Sequence, residues 1–139
     1  MISGTPTNVV ANNASFATFS VVITVTDNVA ATANTTLSLR INQTAPAVPS
    51  GLTATATGLT QVTLNWTDNA NNDLGVLIQR ATDSAFTTGL VNINRYVANL
   101  TSYTDNSVIA GTTYYYRVKT INYVAYSATT SNVVSVATP

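Results

Sequence analysis

The sequence of 139 residues predicts an all-β chain. Apolar residues recur with a period of two, the signature of strands that bury one face. Helical spacing is nearly absent. From residue 50 onward the apolar stretches are short and evenly spaced, separated by polar breaks, which is the cadence of a two-sheet sandwich.

The first element is a hairpin spanning about 16–42. Over residues 19–25, Phe19, Val21, Ile23 and Val25 alternate with Ser, Val and Thr; over 35–41, Leu37, Leu39 and Ile41 alternate with Thr, Ser and Arg. The polar stretch DNVAAT between them reads as the turn, so two antiparallel strands share one apolar face. Then comes NQTAPAVPSG. Prolines at 46 and 49 among small residues mark a boundary, dividing the chain into 1–45 and 46–139.

Beyond it lie seven short strands. They are read at 52–56, at a segment with Val62, Leu64 and Trp66 on one face, at Gly75–Ala81, 90–97, Ser102–Asp105, 113–122 and 132–138. In the sixth, alternation turns Tyr114 and Tyr116 inward and Tyr115 outward. No Asn-Gly or Asp-Gly occurs, so tight two-residue hairpins are not the favoured connection.

Composition narrows function by exclusion. Five Lys and Arg balance five Asp, and charged residues are 7% of the chain against about 25% in a typical soluble domain. There is no His, no Cys and no Glu, and Lys119 is the only lysine. A zinc or haem site and a Ser–His or Cys–His nucleophile therefore cannot be built from this chain. Five dispersed cations do not make a nucleic-acid surface. No apolar run approaches the roughly 18 residues of a membrane helix. No signal peptide is visible after Met1, so either one was removed or the chain is a piece of something longer. A surface of Thr, Asn and Ser without cysteine points to an extracellular or cell-surface setting, and no cofactor is expected.

Four stretches carry a family resemblance: PSGLTATATG, VTLNWTDNANN, GTTYYYRVKTIN and SNVVSVATP. Together they make residues 46–139 resemble a fibronectin type III domain of the kind common in microbial extracellular proteins. The resemblance implies a β-sandwich with Trp66 as a core anchor. It also implies a tyrosine corner, in which the Tyr114 hydroxyl bonds back to upstream backbone. Val108 stands where the family usually has Leu, and Ala110 replaces the usual Pro. In the first 45 residues, ISGTPT and the later FSVVITVTDNVAATANTTLSLRIN are similar to the C-terminal half of an immunoglobulin-like domain of microbial surface proteins. The N-terminal strands of that family are missing. The implied architecture is a fibronectin type III-like sandwich preceded by an incomplete immunoglobulin-like half-domain.

An incomplete sandwich has a physical consequence. A lone hairpin is marginal in water. Seven large side chains (Phe19, Val21, Ile23, Val25, Leu37, Leu39, Ile41) share its apolar face. At about 1.5–3 kcal/mol each, leaving them wet forfeits roughly 10–20 kcal/mol, more than the net stability of most domains. The cover could be the second domain, the first 15 residues, or strands of a neighbouring chain. Strand exchange makes a homo-oligomer or filament the expected partner state.

The remaining candidates are polar and aromatic. Asp68-Asn69-Ala70-Asn71-Asn72-Asp73 is the densest oxygen cluster. Asp68 and Asp73 are weak calcium candidates, and Asp27-Asn28 a fainter one, against the plainer reading of backbone-bonding turns. The five aspartates (Asp27, Asp68, Asp73, Asp83, Asp105) all fall at turns or strand ends and suggest no glycosidase pair. Catalysis is not expected. Five Asn-x-Ser/Thr sequons stand at Asn13, Asn34, Asn42, Asn65 and Asn99. With 16 Asn and 37 Ser plus Thr, chance alone gives about four, so the sequons mark places for glycans without being enriched. Tyr123 and Tyr126 occupy the loop before the last strand, where aromatics stack on sugars, anchor a partner or simply cap the sandwich. Two functions follow: a self-assembling structural module, or an adhesive, carbohydrate-binding or spacer module of a larger secreted protein or hydrolase.

Overall fold

The computed structural model describes residues 16–42 and 44–139, with side chains described for 22–38 and 44–139. The described residues are all-β, with nine strands and no helix. No helix among them is therefore long and apolar enough to cross a membrane. The chain divides into two compact units, residues 1–44 and 45–139.

In the first unit, β1 (Phe16–Thr26) pairs antiparallel with β2 (Thr32–Asn42). The ladder runs from Phe16↔Asn42 to Thr26↔Thr32 without a bulge. Asp27 closes the turn: its Oδ1 accepts the Val29 and Ala31 amides at 2.9 Å, and its own N–H donates to Ala31 O at 3.0 Å. Both strands outrun their apolar cores. Ladder bonds continue through the Thr and Asn positions at the ends, which hydrophobic alternation does not mark.

The second unit holds β3 (Ser50–Gly58), β4 (Gln61–Thr67), β5 (Gly75–Ala81), β6 (Val91–Arg95), β7 (Ser102–Asp105), β8 (Thr113–Ile121) and β9 (Val134–Ala137). They form a three-stranded sheet, β3-β4-β7, and a four-stranded sheet, β6-β5-β8-β9, antiparallel throughout. The core between the sheets is Leu52, Val62, Leu64 and Trp66 from one, and Val76, Ile78, Tyr114, Tyr116 and Val118 from the other, with Val108 from the β7–β8 connection. Alternation in β4 and β8 thus places Trp66, Tyr114 and Tyr116 inside, with Tyr115 half-buried.

The strand read at 132–138 is shorter, Val134–Ala137, and two further readings of this unit need correction. The strand expected at 90–97 is shorter: β6 is an edge that pairs only with β5, and the ladder stops at Val76↔Arg95, where Gly75 lies so close to the Arg95 carbonyl that an added Cβ would stand 2.0 Å from it. β3 and β4 are joined by a two-residue turn, Leu59-Thr60, despite the lack of Asn-Gly. No residue of that turn has positive φ, so it is not a primed turn; a register shift between Ala56 and Gly58 adjusts the strands instead.

The registers Ser50↔Thr67, Asn65↔Ser102 and Gly75↔Ile121 settle which loops meet. Loops 68–74, 96–101 and 122–133 gather at the end of the sandwich where β3 begins. Loops 82–90 and 106–112 and the last residues lie at the other end.

Candidate functional site

On the hairpin, the register sets Phe19, Val21, Ile23 and Val25 opposite Leu39, Leu37, Thr35 and Ala33, and Ile41 opposite Ala17. All seven apolar positions therefore alternate into one face. The other set of positions is Thr18, Ser20, Val22, Thr24 and Thr26 facing Arg40, Ser38, Thr36, Asn34 and Thr32. On the apolar side Ile23 is half-buried, whereas Val25 is 63% and Leu37 54% exposed. The side chains of Phe19, Val21, Leu39 and Ile41 lie outside those described. Among the described residues β1 and β2 make a sheet of two strands, with no third strand on either edge.

The second candidate surface is the loop end of the sandwich. Tyr123 and Tyr126 are exposed on a loop whose backbone is fixed from within. Asn122 Oδ1 accepts the Val124 and Ala125 amides at 3.0 Å, Ser127 N–H donates to Thr120 O at 2.8 Å, and Ile121 and Tyr126 form a β-bridge. Tyr96, 75% exposed, stands at the same end on loop 96–101. Sequence reasoning missed it by placing it inside a strand. The signal that could have found it is the loss of alternation after Ile93, where Arg95 falls on the apolar side and Tyr96, Val97 and Ala98 follow one another.

The acidic residues are committed elsewhere. Asp68 Oδ1 accepts the Ala70 amide at 2.9 Å, and Asp73 Oδ2 accepts the Asn99 amide at 2.9 Å. Asn69 Nδ2 ties the same loop to Val48 O and Ser50 Oγ. Each carboxylate thus serves a backbone amide, and among the described residues no three acidic, His or Cys side chains gather as a metal site. Asp27 closes the hairpin turn. Asp83 accepts the Thr87 hydroxyl and the Thr87 and Thr88 amides. The Thr87 hydroxyl, followed by the Thr88 amide, holds the Asp83 carboxyl below its ordinary value.

Asp105 is the departure from expectation. Read as an ordinary strand end, it is fully buried. Its carboxylate accepts Arg80 Nη1 at 2.8 Å, the Tyr116 hydroxyl at 3.1 Å, and the Ser107 amide and hydroxyl at 2.9 and 2.7 Å. Burial pushes its pKa up, but the Ser107 donors and the Arg80 charge outweigh that and leave it below the ordinary value. The Tyr116 phenol is pushed up, first by burial and then by the Asp105 charge. Arg80 also lies over the Tyr114 ring, 5.0 Å from its centroid. The Tyr114 hydroxyl accepts the Ile109 amide at 3.1 Å, reaching back five residues.

Of the sequons, Asn34, Asn65 and Asn99 are exposed. The Asn42 side chain and all of Asn13 lie outside what is described, as does the ISGTPT segment.

Three strands against four, with a buried tryptophan and a tyrosine hydroxyl bonded across its corner, define a fibronectin type III-like β-sandwich. Solved structures share it. An Fn3-like protein from Clostridium thermocellum is 28% identical, with a TM-score of 0.54 over 66% of this chain and 92% of that one. The FN5 domain of Drosophila Lar is 17% identical, with a TM-score of 0.55 over 68% of this chain and 97% of that one. Pectate lyase Pel3 from Pectobacterium carotovorum is 23% identical, with a TM-score of 0.54 over 65% of this chain and 26% of that one. No protein-family model and no curated protein sequence matches the chain. Domains of this fold commonly serve as structural or adhesion modules of larger proteins.

Proposed function

We propose that this chain is a non-catalytic structural module of an extracellular or surface protein. Residues 1–45 are read as the second half of an immunoglobulin-like sandwich, and 46–139 as the fibronectin type III-like domain. The half-sandwich is completed by strands of a neighbouring chain, so that like subunits build an oligomer or filament. One observation carries this reading: a bulge-free ribbon of two eleven-residue strands, with Val25 and Leu37 more than half exposed on its apolar side. β1 carries no charge and no proline, so it lacks the usual protections of an edge strand. Zero net charge lets copies approach without repulsion. The test is light scattering and electron microscopy of the purified full chain. Mass that grows with concentration supports assembly; a monomer at every concentration overturns it.

A second reading is favoured by the loop end, where Tyr96, Tyr123 and Tyr126 are all exposed. There the module acts as an adhesive or carbohydrate-binding spacer of a secreted protein. The part-length likeness to a pectate lyase suits that role. Glycans on Asn34, Asn65 or Asn99 would add polar cover to a surface with little charge. Titration with polysaccharides, read by Tyr and Trp fluorescence, supports this reading if the response disappears in Tyr123→Ala and Tyr126→Ala. No response to any polysaccharide removes it.

A further inference from the structure

The ladder between β3 and β4 is broken where the sandwich begins. Register shifts between Ser50↔Thr67 and Thr53↔Asn65, with Gly51 at a φ of 64° in the gap. Leu52 loses its ladder partners there. Both of its backbone groups are taken up by one side chain eighty positions away. Leu52 N–H donates to Asn132 Oδ1 at 2.9 Å, and Asn132 Nδ2 donates to Leu52 O at 2.9 Å. Asn132 lies just ahead of β9, so its carboxamide stands in for a missing strand and joins the two sheets at their edges.

The directions of the strands give this link a mechanical meaning. β3 starts at the loop end. β9, antiparallel to β8, starts there too and runs the same way. The chain therefore enters at one end of the sandwich and leaves at the other. Tension along the chain pulls β3 and β9 lengthwise in opposite senses. Bonds perpendicular to the strands are then sheared together rather than broken one at a time. The exit is well fastened: Thr138 Oγ1 donates to Ile109 O at 2.6 Å and accepts the Thr112 amide at 3.0 Å, and Gly111 N–H donates to Pro139 O at 3.2 Å. The entrance is the weaker end, because the ladder lapses at residues 51–52, and it is there that Asn132 holds.

We infer that the Asn132 carboxamide is the shear lock that keeps β3 from being drawn out at its entrance when the chain is pulled along its length. This goes beyond the proposed assembly, since it depends on the second unit alone. The full chain contains no cysteine, so paired cysteines serve as unique handles for single-molecule force measurement. With handles at Ala45→Cys and Pro139→Cys, Asn132→Ala should unfold about ten- to a hundredfold faster at a fixed force, the effect of losing two hydrogen bonds. With handles at Ser84→Cys and Pro139→Cys, the load bypasses β3 and the rate should change by less than about twofold. Equal acceleration in both geometries, or none along the chain, overturns the inference. Asn132→Asp keeps the acceptor for Leu52 N–H but loses the donor. It should show the same directional contrast at smaller size, and it covers the case in which alanine prevents folding.

Discussion

Arg80 on β5 and Asp105 at the end of β7 form a buried ion pair across the two sheets, 2.8 Å from guanidinium to carboxylate. Its carboxylate side is fully served, although Arg80 Nε is buried without a hydrogen-bond partner among the described residues. Ser107 and Tyr116 supply the donors that Asp105 still needs, and the Tyr114 ring lies against the guanidinium. Removing one partner strands the other charge in the core, so Asp105→Ala should cost about 3–5 kcal/mol. Replacing both, as Arg80→Met with Asp105→Leu, should recover most of that loss. Urea denaturation followed through Trp66 fluorescence checks both.

The same cluster sets limits on pH. The folded Asp105 pKa lies below the unfolded value of 3.8, so its stabilisation is present above that value and is lost as pH falls through the folded pKa. Tyr116 has the opposite sign. Its folded pKa lies above the unfolded value of 10.0, so its stabilisation is complete below that value and declines as pH rises past it. Thermal melts should show a plateau between these limits. Tyr116→Phe should flatten the alkaline limb, and Asp105→Asn the acid limb.

Gly75 and Gly111 make a matched test of why a glycine is needed. A Cβ on Gly75 would stand 2.0 Å from the Arg95 carbonyl oxygen and 2.9 Å from Tyr96 Cα, both backbone atoms of the neighbouring strand and its exit. Gly75→Ala must push β6 off β5 and should cost about 3 kcal/mol or more. Gly111 has a φ of 67°, and a methyl added there would meet nothing within 4 Å, so Gly111→Ala carries only the backbone penalty, about 1 kcal/mol. Equal losses by chemical denaturation would refute the steric account.

At the corner, Tyr114→Phe removes the hydroxyl that accepts the Ile109 amide while keeping the ring under Arg80. The expected loss is about 1 kcal/mol. Tyr114→Ala removes the ring as well and should cost about 3–5 kcal/mol. Thermal denaturation of the two variants separates the bond from the packing.

Much of this framework was legible because it is local. Alternation within β4 and β8 is enough to place Trp66, Tyr114 and Tyr116 inside, and the bounds Gly75–Ala81 and Ser102–Asp105 follow from where the apolar run meets polar breaks. What escaped is long-range. Asp105 looks like any strand-terminal Asp until Arg80, 25 residues earlier, is brought across the sheets. Phe86 is one aromatic in a polar loop with no period, yet it is buried, with the Arg117 guanidinium 4.0 Å over its ring. Asn132 reads as the first residue of the last strand, whereas it lies ahead of β9, and nothing within its own neighbourhood announces Leu52. Nor does spacing reveal that Tyr96 shares an end with Tyr123, because that depends on the sheet order.

The hairpin offers a test with its own control, because its two faces differ. Leu37, opposite Val21, belongs to the apolar set, whereas Val22, opposite Thr36, belongs to the hydroxyl-rich set; they are 54% and 62% exposed. If subunits assemble by covering the apolar face, Leu37→Asn withdraws about 1.5–3 kcal/mol of burial from each contact, raising the assembly concentration roughly ten- to a hundredfold. Val22→Thr changes a similarly exposed side chain on the other face and should leave that concentration nearly unchanged. Both substitutions spare the second unit, so its Trp66 fluorescence reports that folding is intact. Light scattering against concentration gives the answer. A face that governs association makes the two variants diverge, whereas general stickiness of the ribbon makes them behave alike.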